Sequence, residues 1–249
     1  MNNRTPLTWR QALLAAAIGA AALVMVGLGI WQLGRLQQRR ALNAEAAASL
    51  AQPPLELTGD EGPLPAEYTP VVATGVYDPD QEIVLRNRAR LDSPGVHVLT
   101  PLRLAGSESA VMVDRGWLPY TEADPGRRAA YAPPAGEVTV RGIIRPSQAR
   151  AAPFLPADPT LSPDQPRLDA WYWVNLDEIQ SQVPYRLMRV YIEAEAGPAP
   201  SQLPVSGYEV DLSDGPHLSY AIQWFAFAAI LVVGSWGLWR RRSSRPSGR

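Results

Sequence analysis

Near each end of the 249-residue chain lies a stretch without a single charged residue. The first is Gln11 to Gly34, with an apolar core from Leu13 to Ile30, and the second is Leu218 to Trp239. A helix at a water-facing surface needs a polar side, and neither stretch supplies one. Each is long enough to cross a hydrocarbon layer of ~30 Å. The chain is therefore expected to span a membrane twice, with residues 12–33 as the first transmembrane helix and 217–239 as the second. Residues 34–52 read as a helical extension, 53–214 as one domain with its own core, and 1–11 and 240–249 as short flanks.

Charge sets the expected orientation. All 24 acidic residues fall between Glu45 and Asp214, and the 23 basic residues are all arginine. Sixteen of those arginines lie between the two charge-free stretches, which leaves that region a net charge of −8. Arg4 and Arg10 precede the first span; Arg240, Arg241, Arg242, Arg245 and Arg249 follow the second. The positive-inside rule keeps the arginine-rich tail in the cytoplasm, so two spans place the N-terminus there as well and the middle domain outside. Arg35, Arg39 and Arg40 lie just beyond the first span, but long translocated domains largely escape the rule and the tail decides. The first apolar core is long for a signal peptide and no small-x-small site follows it directly, so an uncleaved anchor is expected. An acidic outer domain argues against nucleic acid as a partner. The chain has no cysteine, which excludes thiolate catalysis and thiolate metal ligation. Arginine used to the exclusion of lysine points to a GC-rich bacterial genome, hence to a bacterial inner membrane.

Strong helix formers run from Arg35 to Leu50, and the helix is expected to stop before Pro53-Pro54. Strand signals follow. Val71–Tyr77 and Gln81–Arg86, joined by Asp78-Pro79-Asp80, read as a hairpin. Val96–Leu104, preceded by a turn at Ser93-Pro94-Gly95, Ser109–Trp117 and Glu137–Arg145 read as further strands. Residues 146–168, rich in proline, read as a long loop without chemistry of its own. Trp171–Val174 reads as a short aromatic strand. Asn175, with Glu178 three residues on, reads as the cap of a short helix from Leu176 to Val183, and Leu187–Glu193 as a last strand. The predicted fold class is an antiparallel, β-rich extracytoplasmic domain, sandwich or barrel-like, with one short helix, flanked by two transmembrane α-helices.

His217 is one of only two histidines and stands at the head of the second span. Asp214 reads as the cap of that helix and Pro216 as a first-turn proline. Tyr220, Ala221 and Trp224 share the face of His217 at +3, +4 and +7. A flat apolar macrocycle could lie on such a face with a neutral imidazole ligating its iron. The same residues also suit an interfacial aromatic belt. Trp31, Gln32 and Arg35 close the outer end of the first span; Gln32 and Arg35 could meet the propionates of a haem, or simply pack and snorkel. His97, between two valines in a strand, and the run Arg86-Asn87-Arg88-Ala89-Arg90 each have an ordinary surface explanation beside a functional one. No nucleophile elbow, His-Glu-x-x-His helix or phosphate loop is present, so the chain is not read as an enzyme.

Six segments in order resemble the surfeit locus 1 (Surf1) family of cytochrome c oxidase assembly factors. They are Gly29-Ile30-Trp31-Gln32-Leu33-Gly34-Arg35, Val84–Arg88, Pro94–Leu102, Val113–Pro119, Trp173–Leu176 and His217–Phe225. The resemblance implies an assembly factor for haem-copper oxidase that binds haem a and assists its insertion into subunit I, with haem a synthase as a further partner. It also implies His217 as the haem ligand and metal-binding residue. Tyr220, Trp224, Trp31, Gln32 and Arg35 are the remaining cofactor-binding candidates. Many members carry two asparagines before this histidine, where Gly215-Pro216 stands here. The alternative is a haem-free membrane scaffold whose outer domain binds oxidase subunits during assembly.

Overall fold

The computed structural model describes residues 8–59, 62–150, 152–197 and 203–243. The outermost parts of the expected cytoplasmic flanks, with Arg4, Arg245 and Arg249, lie outside them. Two compact units divide the chain: one holds the residues up to Glu45 and from Leu212 onward, the other Ala46–Asp211.

The first unit is built from helix α1 (Trp9–Leu50) and helix α3 (His217–Ser243). Both are candidate membrane spans by length and composition. Their outward faces are apolar: Leu23, Val24 and Ile30 on α1, and Ile222, Ile230 and Val233 on α3, are all exposed. Such surface suits lipid and not water. The inward stripe of α1 repeats every three and four residues through Ala22, Gly29, Gln32 and Leu36, all buried. On α3, Ala221 and Ala228 are buried, with His217, Trp224 and Phe225 half-buried beside them. Small residues let the backbones approach. At Gly29 the ring of Phe225 comes so close that a Cβ there would lie 2.7 Å from it. Below the spans Arg40 donates from Nε and Nη2 to Asp214 Oδ2, at 2.9 and 2.7 Å. Asp214 is thus an ion-pair partner and not the expected cap. The start of α3 is closed by Pro216, whose carbonyl accepts from the Tyr220 N–H and the Ser219 hydroxyl.

The second unit carries eight strands: β1 (Leu55–Glu56), β2 (Pro70–Tyr77), β3 (Ile83–Arg90), β4 (Ser93–Leu104), β5 (Ser109–Pro119), β6 (Glu137–Pro146), β7 (Ala170–Trp171) and β8 (Arg186–Ala194). Pairings run β2-β6-β8-β5-β4, and β4 pairs back onto β2, so five strands close a ring. β1 adds to β2, and β3 with β7 extends from β4. The ring is antiparallel apart from the parallel β5–β8 pair. Closure leaves no free edge within the ring. One core fills it, with Val71, Leu102, Val111, Val113, Ile144 and Ile192 among its members. A second core lies on the other face of β5 and β8, where Met112, Leu99 and Tyr191 pack with Trp171, Val174 and Ile179. β5 is covered on both faces, which explains why its sequence runs apolar without alternation. The covering layer includes helix α2 (Leu176–Ile179), capped by the Asn175 side chain accepting from the Glu178 N–H, and a 3₁₀ turn over Gln180–Gln182.

Three local expectations change. β2 and β3 are not a hairpin: both run antiparallel to β4 along the same edge, with Tyr77 opposite Leu102 and Ile83 opposite Leu99. Asp78-Pro79-Asp80 forms a 3₁₀ jog between them. The Asp78 N–H donates to Pro101 O, and the Asp78 carboxylate accepts from the Asp80 N–H and the Tyr185 hydroxyl. The bonds hold the chain on β4 and do not reverse it. The reversal comes at Leu91-Asp92, two residues with φ of 47° and 60°, the geometry of a two-residue hairpin loop. Ser93, Pro94 and Gly95 are therefore strand and not turn. The aromatic strand ends at Trp171, because the amides of Tyr172 and Trp173 donate to the Asp158 carboxylate instead of a neighbouring strand. The same bonds tie down the proline-rich loop.

Candidate functional site

At the head of α3 the imidazole of His217 is half-buried, and its Nδ1 lies 2.8 Å from Oε1 of Gln32. An amide oxygen only accepts, so Nδ1 carries the hydrogen and donates. Gln32 is 9 % exposed, on the inward stripe of an otherwise apolar helix segment. Among the described residues, Nε2 of His217 has no hydrogen-bond partner. Gly215 lies beside it with φ of +65°, a conformation that suits a residue without Cβ. A Cβ placed there would be 3.7 Å from His217 Cδ2 and 4.0 Å from Nε2. The Nε2 edge of the ring is thus bordered by bare backbone.

The other residues expected at this site divide. Tyr220, one turn on, is exposed, and Trp224 is half-buried with its ring edge-on to Phe227 at 6.2 Å. Arg35 is exposed and donates from Nη1 to Gln38 Oε1 at 3.0 Å. Trp31 is exposed on a different face of α1 from Gln32. Of the six candidates, the structure joins only His217 and Gln32 by a hydrogen bond. The i, i+3 spacing of Gln32 and Arg35 does not make them partners, because Gln32 turns inward and Arg35 outward.

The β unit holds two polar clusters. His97 Nδ1 donates to Asp114 Oδ2 at 2.7 Å, and Asp114 Oδ1 accepts from the Gly116 N–H at 3.0 Å. Beside this buried carboxylate stands Glu193, in register with Asp114 across the β5–β8 pair. Burial, and then the negative charge of Asp114, push the Glu193 carboxyl above its ordinary range. The second cluster is wholly buried. Glu82 Oε2 accepts from the Thr100 hydroxyl at 2.6 Å and from Arg115 Nη1 at 2.9 Å, and Arg115 Nη2 donates to the Tyr131 carbonyl at 2.6 Å. Arg115 also lies over the Tyr77 ring at 5.7 Å. It borders a cavity of about 490 Å³ lined by Tyr77, Tyr131, Val138, Val140 and Leu203 among others. Its donors are directed at protein acceptors, so it pins the strands and does not serve as an open anion receptor. Removing one partner of such a pair costs about 3–5 kcal/mol, because the other charge is left buried.

Sequence reasoning missed Glu82, Thr100, Asp114 and Arg115. The signal was present in the adjacent charges Asp114-Arg115 inside an otherwise apolar strand. The run Arg86–Arg90 falls at the end of the β3–β4 hairpin, where the Asn87 N–H donates to the Tyr120 hydroxyl and Arg86 lies over the Tyr172 ring. Among the described residues no group of three or more His, Asp or Glu side chains could hold a metal ion.

Comparison with known proteins agrees with the architecture. The SURF1 family model matches residues 19–229, which takes in most of both spans and the whole β unit. A SURF1-like protein of Monosiga brevicollis is 32 % identical over 243 residues, covering 93 % of this chain and 89 % of the relative. A SURF1-like protein of Rickettsia bellii is 27 % identical over 216 residues, covering 85 % and 84 %. Surfeit locus protein 1 of Rattus norvegicus is 26 % identical over 234 residues, covering 88 % and 72 %. With a family match extending over well more than half its length, and a relative above 30 % identity along nearly all of it, this chain belongs to the SURF1 family.

Proposed function

We propose that this protein is a membrane-anchored assembly factor for haem-copper cytochrome c oxidase, which holds haem a at His217 and passes it to subunit I. Haem a synthase is the partner from which it would receive the group. The carrying observation is the imidazole itself: a half-buried histidine at the head of an apolar helix, with Nε2 beside Gly215 and without a hydrogen-bond partner among the described residues. The residues present fit the group. Neutral imidazole supplies an iron ligand, Tyr220 and Trp224 offer aromatic surface on the same helix face, and exposed Arg35 offers a cation for a propionate. Bound haem supplies the iron; the protein supplies one ligand at an open boundary, an arrangement weak enough to release its cargo. The middle domain lies outside the cytoplasm in this reading, both termini within, in a bacterial inner membrane. No catalytic step is assigned to the chain.

The test is the Soret band of the purified protein from cells that make haem a. The wild type is expected to carry the band and His217→Ala to lose or shift it. An unchanged Soret band in the variant removes the ligand assignment, and a wild type without the band favours a haem-free scaffold.

A further inference from the structure

We infer that Gln32 is the positioning residue for the haem ligand: it holds His217 in the Nδ1–H tautomer and so presents a bare Nε2 as the ligating nitrogen. The haem role rests on the proposed function, whereas the tautomer does not.

Gln32 is an anomaly in its surroundings, a buried polar side chain within an apolar span. A carboxamide on the inward stripe of a membrane-spanning segment is costly to bury without a partner. Its neighbours on that stripe are Gly29 and Leu36, neither of which offers a side-chain acceptor or donor. The bond to His217, 185 residues away in sequence, satisfies its oxygen. Neutral imidazole carries one ring hydrogen, and the Gln32 oxygen claims it at Nδ1. The lone pair is then at Nε2, the nitrogen that has no partner among the described residues and faces Gly215. A hydrogen-bond acceptor behind a histidine ligand fixes the ring orientation and raises ligand basicity. In an unconstrained histidine side chain Nε2–H is a competing form that could not ligate iron through Nε2. Gln32 selects against it before any haem arrives.

The chain has only two histidines, so the full-length protein in nanodiscs, labelled with ¹⁵N-histidine, presents two imidazoles, and His217→Ala assigns them by loss. Long-range ¹H–¹⁵N correlation at neutral pH is expected to show His217 protonated at Nδ1 with a bare Nε2 in the wild type. Gln32→Glu retains an acceptor and is expected to keep that form, while Gln32→Leu is expected to move His217 toward Nε2–H. In haem titrations Gln32→Leu is expected to bind about 10–100-fold more weakly than the wild type, and Gln32→Glu to recover most of the loss. Nε2–H in the wild type, or an unchanged tautomer in Gln32→Leu, overturns the inference while leaving the haem reading intact. If Gln32→Leu does not fold, the wild type and Gln32→Glu decide: Nδ1–H in both upholds the assignment, Nε2–H in either sinks it. If His217→Ala binds haem as well as the wild type, His217 as the haem ligand fails, and the ligand role of the pair with it, while the tautomer result stands alone.

Discussion

Glu193 shows how one residue's surroundings set its effect on stability. Its carboxyl is pushed upward by burial first and by the charge of Asp114 second, with Arg145 opposing at 3.6 Å. Below the ordinary glutamate range both folded and unfolded chains are protonated, and the residue contributes nothing to the pH dependence. As pH rises, the unfolded chain loses this proton first, so stability falls until the folded carboxyl also ionises; above that the penalty is constant. Glu193→Gln should therefore be more stable than the wild type at neutral pH, with the gain shrinking to nothing in acid. Denaturant unfolding of the two proteins across that range checks this, and a difference that stays flat or changes sign rejects it. Arg145 keeps Glu67 at 3.6 Å in the variant, so no cation is orphaned by the change. At this scale His217 was legible because a histidine beside a long apolar run is conspicuous. The inward turn of Gln32 was not, because helical spacing gives a neighbour set but not which neighbour faces the other helix.

Gly29 carries the corresponding argument for an element. Its missing side chain is where the Phe225 ring lies, 2.7 Å from the point a Cβ would occupy, three residues from Gln32. The end of a flexible ring can turn aside for one methyl, so Gly29→Ala should be mild. Gly29→Leu forces the helices apart, at about 1–3 kcal/mol for overpacking, and should stretch or break the Gln32–His217 bond. Unfolding of the helix pair in a detergent titration should fall in the order wild type, Gly29→Ala, Gly29→Leu, with the His217 tautomer disturbed only in the last. Equal stability of all three would show that the two helices do not meet at this glycine. The strands were largely readable from β-branched runs and turn residues. Their pairing was not: Asp78-Pro79-Asp80 has the composition of a reversal, yet bonds from Pro101 and Tyr185, both distant in sequence, make it a jog.

For the whole molecule the proposed topology makes a direct prediction. The absence of cysteine means that any thiol introduced is the only one present. Phe154, 88 % exposed in the proline-rich loop, and Thr8, exposed just ahead of α1, mark the two sides. In intact spheroplasts Phe154→Cys should react with a membrane-impermeant maleimide, and Thr8→Cys should react only after the membrane is opened. The reverse pattern would invert the orientation that the arginine tail implies.

Two spans, an acidic β-rich domain between them and a histidine at the second boundary follow from the amino-acid sequence alone. Length of apolar run, charge sign and side-chain period are properties of neighbouring residues, and they survive without any knowledge of the fold. The tertiary structure alone decided that five strands close into a ring, that Asp114 and Arg115 are buried within pairs, and that Gln32 meets His217. Each of those depends on groups far apart along the chain. The cost of burying a polar atom is settled only by whichever partner the fold brings to it.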